Sequence, residues 1–237
     1  MTDDARRGEL AANLAEVEER VGRACRAAGR DRAGLTLIAV TKTFPAADVA
    51  LLYDLGVRDV GENRHQEAAA KADACANLAG LRWHLVGQLQ TNKASAVARY
   101  ADVVHSVDRE RLVHALDRAA GQAARRVDCL VQVDLRRPPV EDGRGGADPA
   151  GLARLAGAVA DAEHLHLAGI MAVAPLGADP REAFDRLAQL AVDLRGDHPD
   201  ATVVSAGMSG DLEHAIASGA THLRVGTALL GSRPPLG

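Results

Sequence analysis

Two hydrophobic rhythms alternate along the chain. Short runs dense in Val, Ile and Leu, such as "LTLIAV" at 35–40 and "HLRV" at 222–225, read as buried strands. Between them lie Ala/Leu-rich stretches whose apolar positions fall three and four apart, the spacing of a helix with one buried face. The runs predict strands over Leu35–Thr41, Asp59–Gly61, Arg82–Val86, Asp102–Val107, Asp128–Val133, Leu167–Val173, Thr202–Ser205 and His222–Val225. The spaced pattern predicts helices over Ala46–Leu55, Gln66–Leu78, Arg109–Ala124, Pro149–Ala162, Pro180–Leu194 and Leu212–Ala217. A further helix from Asp4 to Ala28 precedes the first strand, with Gly29 as its stop.

Strands joined by helical crossovers in this order predict a (β/α)8 barrel, one domain over residues 1–237. The competing arrangement is an open doubly wound sheet. It favours a Gly-rich turn after the first strand, and "AVTKTFP" has no glycine there. The stretch Asp134–Pro149, rich in Pro, Gly and charge, is too short to lead into a second core and reads as a mobile surface loop. No repeat or low-complexity tract interrupts the order.

Composition narrows the function classes. With 47% apolar and 25% charged residues the chain can bury an ordinary core, but only 2% are aromatic, so that core is aliphatic. The net charge is −4 and basic residues cluster no further than pairs such as Arg6-Arg7 and Arg136-Arg137, which argues against duplex nucleic acid or an acidic membrane as partner. Cys25, Cys75 and Cys129 are scattered and odd in number, a pattern of reduced thiols rather than a disulfide framework. No signal-peptide h-region follows the N-terminus and no apolar run is long enough to span a bilayer, so the expected location is the cytoplasm.

In a barrel, residues at the C-terminal ends of the strands face the mouth, where chemistry is done. Polar or unusual residues mark that end of several predicted strands: Lys42, Glu62-Asn63, His84, Ser106 to Asp108, Met171, Ser205 with Ser209, and Arg224 with Gly226-Thr227. A free lysine amine titrates near ~10.4, so about one in 2,500 is a neutral nucleophile at pH 7. A semi-buried site lowering that value by ~3, about 4 kcal/mol, would leave it half neutral and able to form a Schiff base. The plainer alternative is that Lys42 snorkels into water from a strand end. Ser209-Gly210 ahead of the helix opened by Asp211, and Gly226-Thr227 after the eighth strand, offer backbone N–H groups and hydroxyls to a phosphate; as a plain alternative they are turns and stops. Arg224, two residues before Gly226, points into the barrel and needs an acceptor, either a ligand's ring nitrogen or an internal carboxylate such as Glu62. An amine, a phosphate nest and a guanidinium together describe a site for pyridoxal 5′-phosphate.

Six segments sharpen this: "IAVTKTFP", "GENRHQE", "WHLVGQLQTNK", "HSVD", "GIMAV" and "SAGMSGDLEHAIASGATHLRVGTALLGSR". Their succession from Leu35 to Arg233 resembles the pyridoxal phosphate homeostasis protein family, relatives of the alanine racemase N-terminal barrel domain. The resemblance implies that Lys42 holds the cofactor as a Schiff base and that Ser209, Gly226 and Thr227 take its phosphate. It also implies that Arg224 faces the pyridine nitrogen, that Asn63 and His84 line the site, and that Met208 and Met171 form its walls. The chain departs from the family where Ala206 replaces a usual Met, where Asp134 replaces a usual Asn at the end of the fifth strand, and near Arg144, where a lysine is usual.

Two functions follow from that resemblance. In one the protein carries pyridoxal phosphate reversibly, without substantial turnover, with apo-enzymes as possible recipients. In the other it is an amino-acid racemase or related enzyme. An arginine at the pyridine nitrogen makes the ring a weak electron sink, and racemisation needs an acid/base on each face of the substrate carbon. The chain ends at Gly237 without the added domain that brings a tyrosine in the racemases, and Tyr53 and Tyr100 fall on or after predicted helices. The carrier is therefore the expected function, as a monomer. Of the remaining residues, His164 and His166 lack a third metal ligand nearby, Cys129 reads as a buried core residue, and no GxSxG elbow marks a serine hydrolase.

Overall fold

In the computed structural model, which describes residues 3–136 and 145–232, the strands close on themselves. They are β1 (Thr36–Val40), β2 (Asp59–Glu62), β3 (Arg82–Leu85), β4 (Val103–Val107), β5 (Val127–Gln132), β6 (Leu165–Met171), β7 (Val203–Ser205) and β8 (His222–Val225). All neighbours run parallel, and the seam closes between β1 and β8, with Thr36 opposite His222 and Ile38 opposite Arg224. The expected barrel is the observed fold, and most strand ends shift by one or two residues from those the hydrophobic pattern predicts.

The helices are α1 (Asp3–Ala27), α2 (Ala46–Asp54), α3 (His65–Ala74), α4 (Ala94–Ala98), α5 (Glu110–Gln122), α6 (Leu152–Ala160), α7 (Pro180–Asp197), α8 (Leu212–Ala217) and α9 (Thr227–Leu230). The predicted helices are all present. Gly29 ends the first with φ +65°. In α5 the buried positions Leu112, Val113, Leu116, Ala119 and Ala120 make one stripe, the face turned to the sheet. Asp179 caps α7 by accepting from the Arg181 N–H at 2.9 Å, with Pro180 in the first turn.

Strand parity divides the interior in two. Leu37 and Ala39 join the large aliphatic core between sheet and helices, with Phe184, Leu187, Leu112 and Leu116. The opposite faces fill the barrel itself: Val103, Leu130, Ala168 and Met171 form a separate apolar cluster there. A Cβ on Gly61 would meet Ile38 and Val40 at 3.1 and 3.4 Å, which puts those side chains in the barrel too. Helix α1 packs across α2, α8 and α9 through Leu10, Val17, Val21 and Cys25. Among the described residues no helix is long and apolar enough to cross a membrane. Of the loop from Asp134 to Pro149, residues 137–144, with Arg144, lie outside the described residues.

Candidate functional site

The end of β1 is pinned from below. Thr41 is fully buried, and its hydroxyl donates to Glu62 Oε1 at 2.6 Å. Lys71, a buried lysine on α3, donates to the Thr41 carbonyl (2.8 Å), to Glu62 Oε1 (2.6 Å) and to Glu67 Oε1 (2.7 Å). Glu67 also accepts from the Thr43 N–H at 2.5 Å, and Thr43 sits in the left-handed region at φ +70°. A non-glycine residue there is costly and needs such a hold. The residues on both sides of Lys42 are thus fixed by one buried ion cluster. Burial pushes the Glu62 carboxyl above the ordinary range, against the pull of Lys71 and Thr41.

Asn63, just after β2, is placed by a close backbone approach. A Cβ at Gly87 would lie 2.2 Å from the Asn63 carbonyl oxygen, so only glycine fits. On the far side, Gly207 turns the chain after β7 at φ +86°, and its missing Cβ makes room for Ala215. Ser209 Oγ accepts from the Ala228 N–H at 3.3 Å, which ties the loop after β7 to the first turn of α9.

Arg224 lies beneath these loops, 5% exposed. Its Nη1 donates to Ser205 Oγ at 2.6 Å and its Nη2 to the Ala172 carbonyl at 2.9 Å. It forms no ion pair with Glu62, which belongs to Lys71 instead. Burial pulls the guanidinium down to about 10, so it remains a cation at neutral pH.

Lys42, Asn63, Met208, Ser209, Arg224, Gly226 and Thr227 surround one cavity of about 350 Å³, closed by Val40, Phe44, Val86 and Val173. A larger cavity of about 560 Å³ adjoins it, sharing Val173, Met208 and Gly210 and bordered by the ion-paired Asp134 and Arg136. Two expected site residues are elsewhere. His84 does not line the cavity: it is buried within the barrel, bonded to Asp59 and His105, because its strand places it below the mouth. Met171 is likewise packed inside the barrel against Val103 and Leu130. Lys71 and His105 were not singled out by the sequence pattern, although the first follows Glu67 at helical spacing and the second interrupts an apolar strand. His166 pairs with Asp128, and Cys129 is fully buried, with its thiol pushed up by burial. Tyr53 donates to the Ala79 carbonyl at 2.9 Å and Tyr100 is mostly buried; neither borders the cavity.

The arrangement suits a small anion bearing an aldehyde and a ring acceptor. An amine and a guanidinium share a cavity of ligand size. Arg224 makes no ion pair among the described residues, although the charge of Asp211 acts on it, so its unspent donors want an acceptor from the cavity side.

Comparison with known proteins agrees. The family profile of the alanine racemase N-terminal domain matches residues 9–234. A pyridoxal phosphate homeostasis protein of Mycobacterium tuberculosis is 44% identical over 96% of this chain and 94% of its own length. The structure of PipY from Synechococcus elongatus with PLP bound is 37% identical, with a TM-score of 0.78 over 94% of this chain and 100% of that one. A protein of unknown function from Bifidobacterium adolescentis superposes with a TM-score of 0.88 at 32% identity over 97% of both chains.

Proposed function

Because the chain belongs to the pyridoxal phosphate homeostasis family, built on the alanine racemase N-terminal barrel, we propose that it binds pyridoxal 5′-phosphate reversibly in the 350 Å³ cavity and serves the supply of that cofactor. The observation that carries this reading is Arg224 and Lys42 on one cavity wall system, with the loops of Ser209 and Gly226-Thr227 tied together above them. Lys42 is the residue whose amine would hold the aldehyde end of the cofactor. Ser209, Gly226 and Thr227 offer hydroxyls and N–H groups to the phosphate. Arg224 has only donors, so a ring nitrogen set against it stays an unprotonated acceptor. Bound pyridoxal phosphate supplies electrophilic carbonyl chemistry, and the weak electron sink left by Arg224 disfavours carbanion formation. The same fold in an amino-acid racemase requires a second acid/base, and both tyrosines lie away from the cavity. Apo-enzymes that accept the cofactor are the proposed partners, reached through the rim where Val173 and Met208 are 45% and 39% exposed.

The test is a titration of the purified protein with pyridoxal phosphate, followed by borohydride reduction and peptide mapping. The pyridoxyl group is expected on the peptide containing Lys42. Lys42→Ala is expected to lose the imine absorption and to keep weak, phosphate-driven binding. A label on Lys71 or Lys93 with Lys42 unmodified overturns the assignment, and turnover of amino acids above roughly 1 s⁻¹ overturns the carrier reading.

A further inference from the structure

Beneath the cavity the barrel is crossed by a line of polar side chains. Arg224 Nη1 donates to Ser205 Oγ at 2.6 Å, and Ser205 Oγ lies 3.0 Å from His105 Nδ1. His105 Nε2 is 2.9 Å from His84 Nδ1, and His84 Nε2 is 2.8 Å from Asp59 Oδ1. The links join β8, β7, β4, β3 and β2, and β4 and β7 are not neighbours in the sheet, so the line runs through the interior. His84, His105 and Ser205 are at most 1% exposed, while Asp59, at the first residue of β2, keeps 18% of its side chain in solvent at the opposite end from the cavity.

With Asp59 ionised and both rings neutral, a single placement of protons satisfies all the links. Arg224 donates to Ser205, Ser205 to His105 Nδ1, His105 Nε2–H to His84 Nδ1, and His84 Nε2–H to the carboxylate. The reverse direction requires an added proton, on His84 or on Asp59, and the Asp59 carboxyl is held below its ordinary range, despite burial, by the bond to His84. In the neutral-ring placement the line has one polarity and ends on the Asp59 carboxylate. A buried guanidinium with no carboxylate in bonding distance is costly, even with the charge of Asp211 acting on it. A carboxylate beside it would occupy the donors that face the cavity.

We propose that His105, His84 and Asp59 are positioning residues for Arg224: the chain fixes Ser205 Oγ as the acceptor that aims the guanidinium while leaving its cavity-side donors open. The proposal rests on the reading above for what Arg224 faces. It also predicts something in the ligand-free protein, namely that both histidines are Nε2–H tautomers and that Arg224 guanidinium protons exchange slowly.

Imidazole and guanidinium ¹⁵N NMR of the protein without ligand, repeated on Asp59→Asn, tests the chain directly. Asn keeps an acceptor oxygen and removes the charge. Nε2–H tautomers and slow Arg224 exchange in the parent, with faster exchange in Asp59→Asn, are the expected results; an Nδ1–H tautomer of either ring overturns the proposal. Pyridoxal phosphate titration of Asp59→Asn, His105→Leu, Ser205→Ala and Ser205→Thr then reads the effect on the site. None of residues 59, 84 and 105 borders the cavity. His105→Leu and Ser205→Ala are expected to weaken binding at least about fivefold and to change the absorption spectrum of the bound cofactor, within the range of network couplings. Ser205→Thr, which keeps the hydroxyl, is expected to restore the parent spectrum. In an Arg224→Gln background His105→Leu is expected to add nothing. Parent-like affinity and spectrum with only a lowered melting temperature make the line structural filling and overturn the proposal. A parent that shows the predicted tautomers but binds no pyridoxal phosphate instead overturns the reading of the cavity. If His105→Leu does not fold, Asp59→Asn still decides.

Discussion

Replacing Lys71 by Met removes the cation that holds Glu62 while keeping a stem of similar length. Glu62 is 1% exposed and would be left with Thr41 as its partner. A stranded carboxylate need not stay charged, because it can take a proton. The gap between pH 7 and the ordinary glutamate value of 4.5, at 1.36 kcal/mol per pH unit, therefore caps that part of the cost at about 3.4 kcal/mol. At pH 5 the same reasoning gives about 0.7 kcal/mol. Losing the bonds to Thr41 and Glu67 adds roughly 1 kcal/mol at either pH. Because burial already raises Glu62 in the parent, which bears part of this cost, the expected destabilisation is at most about 4.4 kcal/mol at pH 7, and smaller at pH 5 by no more than about 2.7 kcal/mol. For a chain of this size that lowers Tm by roughly 10 °C at neutral pH. Urea unfolding of the parent, Lys71→Met and Lys71→Met/Glu62→Gln at both pH values measures it. The double variant, with no carboxylate to strand, is expected to be more stable than the single one at pH 7. Equal losses at pH 5 and 7, or a double variant no better than the single, refutes the argument.

Acid weakens the fold through its buried histidines. Burial holds His105 well below 6.5 and His222 down to about 4, so below pH 6.5 the unfolded chain binds protons that the folded one refuses, and stability is lost as pH falls from about 6.5 to 4. His222 alone accounts for up to about 3 kcal/mol of that, and a urea midpoint that does not move across this window rejects it; His222→Asn is expected to flatten the profile. Gly87→Ala puts a methyl 2.2 Å from the Asn63 carbonyl oxygen, and should cost about 1–3 kcal/mol in chemical denaturation and weaken pyridoxal phosphate binding in a titration. Two other glycines differ sharply: Gly169→Ala would bring a Cβ within 1.9 Å of the Val203 carbonyl and is expected to give little soluble protein, whereas Gly157→Ala, in open space on α6, should raise the unfolding free energy by about 0.5–1 kcal/mol.

Strands such as β1 and β6 were legible because a parallel barrel buries them on both faces, which makes them largely apolar runs; β8 falls on the predicted residues, His222 to Val225. Helices of a few residues were not: α4 and α9 show too little of the helical period. The cavity residues could be read from their places at strand ends, as with Lys42 and Arg224. Depth along a strand could not. His84 lies one residue short of the end of β3, yet its side chain turns down toward Asp59. The ion cluster around Lys71 and the line through His105 depend on which strands meet across the barrel, and no local pattern records that. A cue was nevertheless present: Asp59, His84, His105, Ser205, His222 and Arg224 all occupy same-side positions of otherwise apolar strands, where a core alone would call for valine or leucine.

The first helix also ties itself to the last turns of the chain. Asn13 donates to the Leu229 carbonyl at 3.0 Å, and Arg6, paired with Asp48, donates to that of Leu230 at 3.1 Å. During synthesis α1 therefore waits without this docking surface until Leu229 and Leu230 have been made. On the proposed function, a nascent polypeptide halted before residue 226 has Lys42 but not Gly226-Thr227, so it should not retain pyridoxal phosphate. Ligand retention would then report that translation has passed the turn at Gly226-Thr227.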